Sequence, residues 1–141
     1  MVDSGPDTKR VVLVDDEAAA ITNLRGVRDG FDALEVVAEV ADGETAIQEI
    51  IRLRPDIVFL DIEMPGVNGF EVARETAHLN YQLVFVTAYS QYALDAFGTN
   101  AIDYLLKPVR PSLLEKCVRK MLFQEGLVLE ALEKKSSAGE N

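Results

Sequence analysis

The stretch Pro55-Asp-Ile-Val-Phe-Leu-Asp61-Ile-Glu-Met-Pro-Gly66 decides how the rest of the chain is read. Ile57 to Leu60 are all apolar, so the run has no polar face, the pattern of a strand covered by helices on both sides. Pro55 ends the helical pattern before it, and Met64-Pro65-Gly66 carries turn chemistry after it. Asp61 stands between run and turn. Working outward, similar runs recur at Val11–Val14, Glu35–Ala38, Leu83–Val86 and Tyr104–Leu106. Helical patterns fill the intervals at Ala18–Arg28, Glu44–Leu53, Phe70–His78, Gln91–Phe97 and Ser112–Leu122. The clearest is the second, where Ala46, Ile47, Ile50, Ile51 and Leu53 form one apolar stripe. Five βα units joined by right-handed crossovers predict an open, parallel α/β sandwich with its ligand site at the carboxyl ends of the strands.

The chain has 141 residues, enough for one core, and 48% of them are hydrophobic, which argues against wholesale disorder. No apolar run reaches the roughly 18 residues of a membrane span. Met1 to Arg10 is polar and lacks the pattern of a secretory leader, so a cytoplasmic protein with no membrane partner is expected. The single cysteine, Cys117, lies among apolar residues and is read as a buried structural thiol. Residues 1–106 carry 7 Lys or Arg against 19 Asp or Glu, while residues 107–141 carry 7 against 5. A body at −12 repels phosphate backbones, which speaks against direct nucleic-acid binding by this chain. The expected layout is a flexible tail over 1–9, one domain over 10–123, and a helical extension or linker over 124–141.

Chemistry gathers at the strand ends. The first strand runs into Asp15-Asp16-Glu17, the third into Asp61, the fourth into Thr87 and the fifth into Lys107. Taken singly, Asp15 or Asp16 could cap a helix and Asp61 could belong to a turn. A parallel sheet, however, brings all of these ends to one edge, and independent accidents do not place such a set on neighbouring strands. Three carboxylates gathered there repel by a few kcal/mol at an effective dielectric of about 20 unless a cation lies among them. Hard oxygen ligands without a His or Cys cluster select Mg²⁺ or Mn²⁺. Asp61 then reads as a nucleophilic carboxylate, with Lys107 and Thr87 as partners for phosphate oxygens.

These segments resemble the receiver domains of two-component response regulators over roughly Arg10 to Phe123. Val-Leu-Val-Asp15-Asp16-Glu17 is similar to that family's acidic pocket, Pro55 to Gly66 to its phosphoacceptor segment, and Val86-Thr87-Ala88 with Leu106-Lys107-Pro108 to the remainder. The resemblance implies a flavodoxin-like (βα)5 doubly wound sheet in the order 2-1-3-4-5. It implies a phosphoacceptor at Asp61 and a metal held by Asp15, Asp16, Asp61 and the backbone carbonyl of Glu63, with Asp15 acting mainly through water. Thr87, Ala88, Tyr104 and Lys107 would bind the phosphoryl group or switch with it, and the peptide before Pro108 would be cis. The partner implied is a histidine kinase. The protein would be no enzyme in its own right, but a phosphoacceptor that assists its own phosphorylation and slow autodephosphorylation.

Residues Phe85 to Pro108 are most similar to receivers of the LytR/AlgR type, which usually precede a LytTR DNA-binding domain and serve in transcription regulation. The sequence departs from that pattern in that nothing after Leu122 could form a second domain, so the expectation is either a stand-alone receiver or a chain cut before an effector. Rival classes fit less well. A haloacid-dehalogenase type phosphohydrolase also uses a strand-end Asp with Mg²⁺, but Asp61-Ile62-Glu63 departs from its Asp-x-Asp pattern. A flavodoxin-like cofactor binder would need phosphate donors where three acids stand. A receiver-fold interaction module that signals without phosphorylation would not need the intact set.

The output face is expected on the fourth helix, fifth strand and fifth helix. Ala93, Leu94, Ala96, Phe97, Tyr104, Leu113, Leu114, Cys117, Val118 and Met121 supply more apolar surface there than two short helices can bury. Leu114, Val118, Met121, Glu125, Val128 and Leu132 follow coiled-coil spacing, broken at Glu125 and weakened by Gly126. A weak homodimer strengthened by phosphorylation is the expectation.

Overall fold

The computed structural model describes residues 8–28, 31 and 33–123. Five strands, β1 (Lys9–Val14), β2 (Leu34–Val40), β3 (Ile57–Leu60), β4 (Gln82–Thr87) and β5 (Ala101–Leu106), form one sheet in the order β2-β1-β3-β4-β5. Every pairing is parallel. Helices α1 (Ala18–Leu24), α2 (Gly43–Leu53), α3 (Gly69–Glu75), α4 (Ala93–Ala96) and α5 (Pro111–Leu122) make the crossovers. This is the expected flavodoxin-like (βα)5 arrangement.

The apolar runs alternate between two cores, as period-two side chains must. Val11, Leu13, Ile57, Phe59, Val84 and Val86 pack with Ile21 and Leu24 of α1 and with Leu114, Val118 and Met121 of α5. Val12, Val14, Val58, Leu60, Leu83 and Phe85 pack on the opposite side with Ala46 and Ile50 of α2 and Val72 of α3. Leu13, Phe59 and Phe85 are fully buried, each contributing about 2 kcal/mol of transfer free energy. Cys117 is buried as expected, and that burial, with the Asp103 charge nearby, pushes its thiol up to about 12.

Local chemistry sets the element ends. The Asp42 side chain accepts from Thr45 N at 2.7 Å to start α2, and Arg54 closes it in the left-handed region at φ 50° before Pro55. Asn68 and Glu71 form a reciprocal capping box on α3. Strand β1 starts at Lys9, inside the stretch read as tail, because Lys9 N bonds to Ala33 O at 2.7 Å and Lys9 registers with Leu34. Strand β5 starts at Ala101 rather than Tyr104; Asp103 interrupts its apolar pattern, but pairing with β4 holds it.

Two expected helices are shorter. A 3₁₀ turn over Arg25–Arg28 follows α1, and α3 stops where the Thr76 hydroxyl bonds back to Val72 O at 2.8 Å. Residues Gln91–Phe97 are not one helix: a 3₁₀ turn, Ser90–Tyr92, precedes the single turn of α4, and Thr99 Oγ1 bonds back to Ala96 O at 2.7 Å. On the far side of α4 and α5 the apolar residues divide. Ala96, Leu114, Cys117, Val118 and Met121 enter the core, while Leu94 and Phe97 stay 81% and 84% exposed and Leu113 is exposed. The seam positions Glu125, Val128 and Leu132 and the stretch 1–7 lie outside the described residues.

Gly69 shows how closely α3 is docked onto the end of β3. A Cβ there would lie 2.2 Å from Asp61 O and 2.8 Å from Ile62 Cα, both backbone atoms that cannot swing aside. Gly69→Ala should therefore lower unfolding free energy by about 2 kcal/mol. Gly26→Ala, which meets no atom within 4 Å, should be neutral or gain up to about 1 kcal/mol through the unfolded state. Urea denaturation of the two variants checks this, and equal midpoints would refute the steric account.

Candidate functional site

Backbone hydrogen bonds that continue the parallel ladder set the strand-end residues side by side. Asp15 N donates to Val40 O at 2.9 Å, Asp61 N to Val14 O at 3.0 Å, and Lys107 N to Thr87 O at 2.9 Å. The carboxylates of Asp15, Asp16 and Asp61 thereby fall within 4.8 Å of one another. Asp15 and Asp61 are 1% and 4% exposed, whereas Asp16 is open to solvent.

Lys107 is the cation set against them. Its Nζ lies 2.8 Å from Asp15 Oδ2, 3.0 Å from Glu17 Oε1 and 3.4 Å from Asp61 Oδ2. The Asp15 contact is an ion pair without hydrogen-bond alignment, so this buried oxygen has a charge beside it and no donor aimed at it. Asp15 Oδ1 accepts from Glu17 N at 3.0 Å, and Asp61 Oδ1 from Ile62 N at 2.7 Å.

The titration behaviour follows from this crowding. Burial, then the charge of Asp15, pushes the Asp61 carboxyl up to about 6 against the opposing pull of Lys107 and the Ile62 amide. Burial alone would depress the Lys107 ammonium, but its contacts with Asp15 and Glu17 and the charge of Asp61 hold it above the ordinary lysine value. An underneutralised carboxylate set, all hard oxygens, with one buried oxygen lacking an aligned donor, fits a divalent ion of the Mg²⁺ type. Asp15, Asp16 and Asp61 are the side chains that would hold it.

Asp16, Glu17, Asp61, Glu63, Met64, Pro65, Ala88, Tyr89 and Lys107 border a cleft of about 430 Å³ over this cluster. Thr87 is fully buried, and its hydroxyl accepts from Tyr89 N at 3.4 Å. The Tyr104 hydroxyl donates to Tyr89 O, and its ring lies 6.5 Å from that of Phe85. The Lys107–Pro108 peptide is cis. The structure thus gathers Asp15, Asp16, Asp61, Glu63, Ala88 and Lys107 at one cleft or its floor, with Thr87 and Tyr104 behind the loop that forms its wall.

Sequence reasoning gave no role to three residues found here. Glu17 pairs with Lys107, and its place directly after two acids was the available signal. Tyr89 lines the cleft, and the Tyr92 hydroxyl donates to Glu63 Oε2 across 29 residues. That hydrogen bond has no signature in spacing.

The response regulator receiver domain family matches residues 11–119. The transcriptional regulatory protein BtsR of Salmonella typhi is 43% identical over 114 residues, 79% of this chain and 47% of that protein. An uncharacterized response regulatory protein of Vibrio cholerae is 44% identical over 117 residues, 81% of this chain and 45% of that one. The chain spans about half the length of these curated relatives. Among solved structures, the REC domain of AraT, a response regulator from Geobacillus stearothermophilus, superposes with a TM-score of 0.73 at 32% identity, covering 92% of this chain and 98% of that one. The response regulatory domain of protein mrkE from Klebsiella pneumoniae gives a TM-score of 0.70 at 28% identity, over 89% and 98% of the two chains.

A carboxyl raised to about 6 in the folded state binds a proton more tightly there than in the unfolded chain, so its ionisation costs stability as pH rises from about 4 to 6 and the cost stays constant above. Asp61→Asn removes that cost. The variant should match the parent in stability near pH 4 and exceed it by roughly 2 kcal/mol at pH 7.5 without divalent ions. Urea midpoints across this range give the comparison, and a stability gap that does not widen with pH would contradict the assignment.

Proposed function

Because the chain belongs to the response regulator receiver domain family, we propose that it is a phosphorylation switch of a two-component system, with Asp61 accepting a phosphoryl group from a histidine kinase. The observation that carries this reading is the convergence of Asp15, Asp16 and Asp61 within 4.8 Å beside Lys107. The Ile62 amide pins Asp61 Oδ1 at 2.7 Å, which leaves Oδ2 as the attacking atom. Oδ2 forms a bond to phosphorus while the phosphorus–nitrogen bond of the kinase phosphohistidine breaks. The imidazole departs with the electron pair and picks up a proton, and the product is an aspartyl phosphate. Lys107, 3.4 Å from Oδ2, can stay beside the incoming charge, and Thr87 supplies a hydroxyl near the same oxygens. When bound, Mg²⁺ or Mn²⁺ supplies charge neutralisation for the carboxylates and the phosphoryl oxygens, with the Glu63 backbone carbonyl as a further ligand. The protein is a phosphoacceptor rather than a turnover enzyme.

The output face is α4, β5 and α5, where Leu94, Phe97, Leu106 and Leu113 are exposed. Thr87 and Tyr104 link it to the cleft, and phosphorylation strengthens a weak homodimer through it. Resemblance of Phe85–Pro108 to LytR/AlgR receivers supports a LytTR effector in the whole protein, and the relative BtsR, named a transcriptional regulatory protein, supports transcription regulation. The receiver then begins with β1 at Lys9 rather than after it. No helix among the described residues is long and apolar enough to cross a membrane, in keeping with a cytoplasmic protein.

Acetyl phosphate with Mg²⁺ should add the mass of one phosphoryl group to the protein and none to Asp61→Asn. Label surviving in that variant would displace Asp61 as the acceptor. Beryllofluoride should raise the weight-average mass in sedimentation equilibrium at high protein concentration. A species that stays monomeric in both states would remove homodimerisation as the output.

A further inference from the structure

Tyr92 and Glu63 make a contact that phosphoacceptance by Asp61 does not itself require. The Tyr92 hydroxyl donates to Glu63 Oε2. The phenol is aimed by aromatic packing: its ring meets Phe70 at 6.0 Å and Tyr89 at 6.1 Å, both edge-on, and Phe70 rests on Phe85 of β4 at 5.2 Å. Tyr92 is therefore packed against α3 and the loop after β4, with β4 behind Phe70, whereas Glu63 is an exposed side chain on the loop after β3.

Glu63 borders the same cleft as Asp16, Glu17, Asp61 and Lys107. Four acidic residues thus line a cleft whose bordering residues include one ammonium, with Asp15 buried beneath. One rim acid, Glu17, is held by Lys107 at 3.0 Å. The other, Glu63, has no ion pair among the described residues, and the phenol is what tethers it. Two residues from Asp61, an untethered glutamate is long enough to turn back toward the Asp15–Asp16–Asp61 cluster. There it would be drawn to any cation and would repel any anion.

We propose that the Tyr92 hydroxyl is a positioning group that holds the Glu63 carboxylate on the outer rim of the Asp61 cleft, so that anionic phosphodonors can approach. This rests on Asp61 being the phosphoacceptor. Its specific consequence is discrimination by donor charge: a released Glu63 penalises a dianionic donor more than one of lower charge, and it tightens divalent-cation binding.

Tyr92→Phe removes the hydroxyl and keeps the ring. Mn²⁺ affinity, read from loss of the free-ion electron paramagnetic resonance signal, should tighten by about threefold, the scale of one carboxylate approaching a cation in a solvent-open cleft. Labelling by dianionic acetyl phosphate should slow by about fivefold, and labelling by phosphoramidate, which carries less negative charge, should slow less. Neither change should occur when Tyr92→Phe is made in a Glu63→Gln background. An unchanged Mn²⁺ affinity in Tyr92→Phe overturns the proposal, as does an effect of equal size in the Glu63→Gln background. The Mn²⁺ titration does not depend on phosphorylation: if neither donor labels the parent protein, the phosphoacceptor reading fails while the titration still decides whether Tyr92 restrains Glu63.

Discussion

Like charges gathered at the carboxyl edge of a parallel sheet are the constraint around which this molecule is arranged. The ladder bonds Asp15 N to Val40 O and Asp61 N to Val14 O place two carboxylates on adjacent strand ends, and neither can retreat without breaking sheet geometry. Their repulsion is only partly relieved by Lys107, which lies nearer Asp15 at 2.8 Å than Asp61 at 3.4 Å. Asp61 is the farther of the two from Lys107, and burial first, then the Asp15 charge, pushes its carboxyl up to about 6. A site in this condition favours a divalent cation, and a phosphoryl group on Asp61 would bring further negative charge that the same cation and Lys107 would have to offset. Binding and chemistry thus have the same electrostatic origin.

The fold was legible because both faces of the sheet are covered. Ile57–Leu60 and Val11–Val14 read as strands without alternation because helices bury them from either side, and the strand order observed is the one that the family resemblance implied. Legibility failed where pairing or geometry replaced composition. Ala101–Asp103 belongs to β5 through its register with β4, although Asp103 breaks the apolar pattern. The Gln91–Phe97 pattern has helical spacing, yet only Ala93–Ala96 forms α-helix, since a 3₁₀ turn precedes it and Thr99 turns the chain back beyond it.

The site divides in the same way. Residues fixed by strand ends, namely Asp15, Asp61, Thr87 and Lys107, could be grouped from sequence because a parallel sheet makes distant ends neighbours. Those fixed by side-chain reach could not. Glu63 and Tyr92 come from different loops, and their hydrogen bond depends on how Phe70, Phe85 and Tyr89 pack around the phenol. Sequence pattern reports which backbone positions converge. It carries little information on where a long side chain at the rim will find its partner.

The weakest element lies where a switch would need it. Helix α4 is one turn long and has no side-chain cap at its N-terminus, so it gains little from helical cooperativity. Two tyrosine hydroxyls tie the loop leading into it: Tyr104 to the Tyr89 carbonyl and Tyr92 to Glu63. The hydroxyl of Thr87, buried at the base of that loop, accepts one long hydrogen bond among the described residues, from Tyr89 N at 3.4 Å. A phosphoryl group on Asp61 would offer that hydroxyl a charged acceptor in place of a weak donor. Exchanging one marginal contact for a charge-assisted one involves a few kcal/mol, the scale on which a two-state element is rebalanced. A term of that size is small against the burial that holds β1, β3 and their two cores, and in the proposed switch it acts on residues 87–97, where Leu94 and Phe97 are exposed.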